Sequence, residues 1–173
     1  MSYVKNEIRE INLRELKNLA ESVVKNQRKR LKSLPSGNLV GSVINKLVLH
    51  HTAGPTISQY KGLQTIKNIQ SYHINTNGWS DIGYHVLIGP DGKIFYGRNI
   101  GYSGGHTTNQ NSISWGLSMI GNFDYESMPK AELLSTIQVI AVLLDALGYD
   151  ETALHFHREY AQKSCPGNLV KLD

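Results

Sequence analysis

The sequence predicts an α/β fold: a central mixed β-sheet flanked by helices, with an added N-terminal helical arm. Three observations predict it. Short apolar runs of strand length, "KLVLHH", "YHVLI", "IFYGR", "WGLSMIG" and "TALHFH", are interspersed with longer stretches of helical periodicity. Two of those runs flank "GPDGK", whose Asp-Gly pair suits a hairpin turn. Finally, the 173 residues are 40% hydrophobic and 18% charged, which is the balance of a globular chain with a real core and not of a disordered one.

Taken in order, residues 12–33 read as a helix. Asn12 can cap it, with Glu15 three positions on, and Leu13, Leu16, Ala20, Val23 and Leu31 approximate one apolar face. "LPSGN" at 34–38 ends the helix, so residues 1–40 read as an arm and linker and 41–173 as the main domain. "KLVLHH" at 46–51 reads as a buried strand ending in the loop "TAGP". Residues 58–75 read as a helix with Ile66, Ile69 and Tyr72 inward, and 84–88 and 94–98 as the hairpin. The Gly- and Asn-rich stretch "GYSGGHTTNQNS" is a long loop of the kind that carries binding groups. A strand at 115–121 and a helix at 129–147 follow. Pro129 lies near that helix's start, Gly148 past its end, and Leu133, Ile137, Ile140, Leu144 and Leu147 are its expected core stripe. Residues 152–157 close the chain as a short strand.

The formal charge of +4 favours anionic partners, among them wall polymers, without choosing between them. The basic run "KNQRKRLK" at 25–32 reads first as a solvated helix face. A single cysteine excludes an internal disulfide. Residues 1–20 carry charges throughout and no apolar h-region, so synthesis in the cytoplasm without a signal peptide is expected; no run is long enough for a membrane span.

The chemistry-bearing side chains fall in three places: His50 and His51, His155 and His157, and Cys165. Two imidazoles and one thiolate make the three-ligand set of a catalytic zinc, which keeps one position for water. Consecutive residues on a strand face opposite sides, so at most one of His50 and His51 serves a given site; His155 and His157 share a face and stay undistinguished. None of the short zinc motifs is present, and a lone Cys is most often a small buried hydrophobe. On their own, Tyr84 is a strand aromatic and Lys163 an exposed loop lysine. His51, His73, His85 and His155 read as structural, and Trp79 and Trp115 as groove or core residues.

"LVLHHTAG", "DIGYHVLIGPDGKIFYGR", "GGH…NQNSIS" and "HREYAQKSCPG" resemble, in order and spacing, the zinc-dependent N-acetylmuramoyl-L-alanine amidases of the amidase-2 family, which includes the peptidoglycan recognition proteins. The likeness covers about residues 45–168 and is nearest to the small phage lysozyme-type endolysins. It implies that His50, His157 and Cys165 bind Zn²⁺, and that Tyr84 and Lys163 are catalytic. It also implies that His106 and Asn111 belong to the substrate groove. A glutamate that some bacterial relatives carry on the central strand is expected to be replaced by Gly116. The implied reaction is hydrolysis of the amide between N-acetylmuramic acid and L-alanine in bacterial peptidoglycan, on the wall, after release from the cell where the protein is made. No nucleic-acid partner is expected, and a monomer is favoured. The rival implied by the same family is a non-catalytic peptidoglycan-binding module; such members usually lack the metal cysteine. A cysteine hydrolase is a third reading, disfavoured by the Cys lying almost last in the chain.

Overall fold

The computed structural model describes residues 4–32 and 43–171. The expected linker at 34–38, the boundary near residue 40 and the side chain of Leu31 lie outside the described residues. Six strands form one mixed sheet in the order β1-β4-β3-β5-β2-β6. They are β1 (Arg9–Glu10), β2 (Lys46–His51), β3 (Val86–Ile88), β4 (Ile94–Tyr96), β5 (Ser114–Met119) and β6 (Leu154–Phe156). β1, β4 and β3 pair antiparallel; β3, β5, β2 and β6 run parallel. The helices are α1 (Leu13–Lys32), α2 (Leu63–Asn75) and α3 (Lys130–Leu147). Among the described residues no helix is long and apolar enough to cross a membrane.

The N-terminal segment packs as part of this fold. β1 adds an edge strand, and Leu16, Ala20 and Val24 of α1 share one core with Leu47, Leu49, Trp115 and Leu143. Asn12 caps α1 as its sequence suggests: Oδ1 accepts the Glu15 amide at 2.9 Å. Trp115 is fully buried and donates its indole N–H to the Ile100 carbonyl, so it is a core residue. The hairpin is present, with Gly92 at φ +79° in its turn.

Two elements differ from expectation. α2 starts at Leu63 and not at 58: residues 57–59 make a separate 3₁₀ turn, and Gly62 at φ +58° breaks the path between them. Ile66 is buried as expected, but Tyr72 is 57% exposed and turns to a surface cleft. The stripe of α3 holds in its C-terminal half, where Leu144 and Leu147 are buried and Ile140 packs against the core, but it shifts by about one residue at the start. There Leu133 and Ile137 are 45% and 54% exposed, while Glu132, Thr136 and Val139 are buried. The cause is a polar contact: the fully buried Glu132 accepts the Ile120 amide at 2.8 Å, just beyond β5, and so sets the helix's rotation.

That contact makes a pH-dependent element of the fold. Burial, chiefly, pushes the Glu132 carboxyl up to about 8, so the folded protein holds its proton where the unfolded chain has lost it. The stabilisation is complete below the unfolded value near 4.5 and is lost as pH rises toward 8. Denaturant titrations from pH 5 to 8 are expected to show wild type losing stability relative to Glu132→Gln, by on the order of 2–3 kcal/mol. Parallel curves for the two proteins would contradict this.

Candidate metal centre

β2, β5 and β6 are parallel neighbours, so their C-terminal ends open on one edge of the sheet. His50 lies at that end of β2. The β2–β6 register pairs Leu49 with Phe156, and His157 follows directly, which stands it beside His50 with ring centroids 4.5 Å apart. His155, two residues earlier, turns away to a 2.7 Å contact with Glu159, and this separates the two histidines that strand geometry left equivalent. The chain after His157 folds back on itself, the Arg158 amide donating to the Cys165 carbonyl at 2.8 Å. That brings the cysteine sulfur to 3.6 Å from His50 Nδ1. One ligand atom each of His50, His157 and Cys165 lies within 4.8 Å of the others. His51 faces the other side, where its Nδ1 accepts the Phe123 amide at 3.2 Å.

The donor set fits zinc. Bonds of about 2.1 Å to nitrogen and 2.3 Å to sulfur at a tetrahedral angle separate the two atoms by roughly 3.5 Å, close to the 3.6 Å found between His50 and Cys165. His50 is 1% exposed, and burial, then the neighbouring His106, holds it well below the usual histidine range. It is therefore neutral, as a ligand must be. Burial likewise lowers His157, followed by the charge of Lys163. Burial pushes the Cys165 thiol up to about 11, so only a nearby cation would hold it as thiolate.

The other expected site residues surround this cluster. The Tyr84 ring is 5.3 Å from His50, and burial, then the Cys165 charge, raises its hydroxyl to about 12. It stays protonated and can donate a hydrogen bond. Lys163 is exposed on the loop between His157 and Cys165, and its charge is felt at all three ligand candidates. His106 is buried, with Nδ1 3.0 Å from His50 Nε2. Asn111 Oδ1 accepts the amides of His106 and Thr107 at 2.7 and 2.8 Å, bracing that loop. Gly116 does not stand where a strand acid would reach the cluster, because the His106 ring covers it; Ser118, paired with His50 across β2 and β5, is the β5 residue beside the site.

A cleft of about 470 Å³ opens next to Tyr84, lined among others by Thr52, Gln59, Lys61, Asn68, Tyr72 and His73. Trp79, 40% exposed, stacks near His73 with centroids 4.7 Å apart. Thr107 and the Thr52–Asn68 wall escaped the sequence reading. The only signal for Thr107 was its place after His106 in a polar loop, and for the wall there was none.

Comparison with known proteins gives consistent matches. The profile of the family described as N-acetylmuramoyl-L-alanine amidase (Amidase_2) matches residues 40–168. Peptidoglycan-recognition protein SC2 of Drosophila simulans is 35% identical over 144 residues, 80% of this chain and 77% of that protein. The N-acetylmuramoyl-L-alanine amidase of Homo sapiens is 33% identical over 130 residues, 72% of this chain but 22% of that much longer protein. Among solved structures, the endolysin amidase LysCS of Clostridium intestinale superposes with a TM-score of 0.63 at 31% identity, covering 72% of this chain and 76% of that one.

Proposed function

The chain belongs to the N-acetylmuramoyl-L-alanine amidase family, and from that premise we propose that it is a zinc-dependent hydrolase of peptidoglycan, cleaving the amide between N-acetylmuramic acid and L-alanine. The observation that carries this reading is the convergence of His50, His157 and Cys165 from three separate stretches of chain. Zinc held by these residues would supply activation of a water and polarisation of the amide carbonyl.

The chain's own groups do the rest. In this reading the stem peptide lies in the cleft that Tyr84, Thr52 and His73 line. The Tyr84 hydroxyl, protonated across the working pH range, donates to the oxygen that gains negative charge on attack. Lys163 adds a positive charge at the same side, where its field already reaches His50, His157 and Cys165. Burial holds His50 well below the usual histidine range, so it is a weak base and a poor acceptor for the proton being moved. We read the biological role as that of a phage endolysin, made in the cytoplasm and acting on the wall; the match to an enzyme named as an endolysin supports it. In that reading residues 41–173 are the catalytic unit and 1–40 its arm.

The similarity to recognition proteins favours one alternative, a module that binds wall fragments without cutting them. Incubation with defined muropeptides and mass spectrometry separates the two. We expect free stem peptide with a new L-alanine amino terminus, abolished by a chelator and restored by zinc. Binding without any such product would establish the alternative.

A further inference from the structure

His106 occupies a slot shaped for its ring. A Cβ on Gly116 or on Gly104 would fall well inside van der Waals contact with the imidazole, so the backbone on both sides must be glycine for the ring to lie there. The ring stands edge-on to His50, with centroids 5.1 Å apart at 82°. Asn111 fixes the loop that carries it through the two amide contacts already described.

The protons along this contact follow from its far end. The Gln110 carbonyl can only accept, so the Ser114 hydroxyl donates to it, at 2.7 Å. Ser114 Oγ then has only lone pairs left for His106 Nε2, at 3.5 Å, the longest link in the chain. The tautomer consistent with that polarity and with both contacts at the other end of the ring has the His106 proton on Nε2 and Nδ1 as an acceptor. His50 Nε2, 3.0 Å from that Nδ1, is the donor. The Thr107 hydroxyl touches both nitrogens, at 2.9 Å from His106 and 3.2 Å from His50. With its proton on Nε2, His50 presents a bare lone pair at Nδ1, the atom that faces the Cys165 sulfur.

We propose that His106, oriented by Ser114 and Thr107, is a positioning residue that fixes the tautomer and ring orientation of His50 so that Nδ1 is turned to the metal. Only the identity of the ion rests on the zinc-amidase reading; the tautomer is set by protein groups and exists without metal. Groups that orient a ligating histidine typically contribute ~10–100-fold to metal affinity.

The test uses metal-free, ¹⁵N-labelled protein, in which long-range proton–nitrogen spectra read each histidine's tautomer, together with zinc affinity measured by chelator competition. Wild type is expected to hold His50 with its proton on Nε2. His106→Ala should mix the two tautomers and weaken zinc by ~10–100-fold, and His106→Asn, which keeps an acceptor near the Nδ1 position, should recover most of both. Ser114→Ala touches no ligand and removes only the anchor at the carbonyl; it should also mix the tautomers, and it stands in should His106→Ala not fold. A His50 protonated on Nδ1 in wild type overturns the proposal, as does an unchanged tautomer and zinc affinity in the variants. If wild type binds no zinc while His50 is protonated on Nε2 in wild type and mixed in the variants, the zinc reading fails and the positioning role stands.

Discussion

Cys165→Ser is expected to abolish amide cleavage and to strip the protein of zinc. The sulfur is the only soft ligand in the cluster, and it lies 3.6 Å from His50 Nδ1 with 8% of the residue exposed. A serine hydroxyl is shorter, is not ionised near neutral pH and leaves two imidazoles to hold the ion alone. Because the ion's water activation and carbonyl polarisation are each worth several kcal/mol, the rate should fall by more than ~10³-fold. Zinc content by mass spectrometry and muropeptide turnover are the measurements, with a thermal melt of the metal-free proteins as the folding control. Zinc retained at one per chain with normal turnover would contradict the assignment of Cys165.

Tyr84→Phe is expected to keep zinc and lower turnover by ~10²–10³-fold, the usual loss when one donor to a developing oxyanion is removed. The phenyl ring preserves the packing against His50 and His73, so the substitution isolates the hydroxyl. Lys163→Ala should act in the same direction but less, because Lys163 is exposed and its field is screened by salt. Rates at saturating muropeptide with zinc content held equal check both. A Tyr84→Phe protein that loses its zinc would show that the hydroxyl supports the metal and not the reaction.

Much of this site was legible because local chemistry left marks on the sequence. Asn12, the Asp-Gly hairpin turn and Gly148 at φ +76° placed element ends from single residues. The adjacent pair His50 and His51 announced by alternation alone that one faces the site and one does not. His155 and His157 could not be separated that way, since residues two apart share a strand face; the register of β6 on β2, a tertiary fact, decides between them. The rotation of α3 was hidden for a related reason. Its apolar residues run nearly all the way round, so periodicity had little to choose between, and the deciding contact is a buried Glu132 that reaches a backbone amide 12 positions away. That His106 reaches His50 was hidden, because two glycines open the slot for its ring and no pattern of side chains reveals such a space.

X-ray absorption at the zinc edge of the purified protein tests the central claim most directly. Convergence of His50, His157 and Cys165 on one ion predicts one sulfur at about 2.3 Å and two imidazole nitrogens at about 2.0–2.1 Å, with a lighter atom completing four-coordination. The sulfur shell should vanish in Cys165→Ser. A zinc site with no sulfur in the wild-type spectrum would contradict the account.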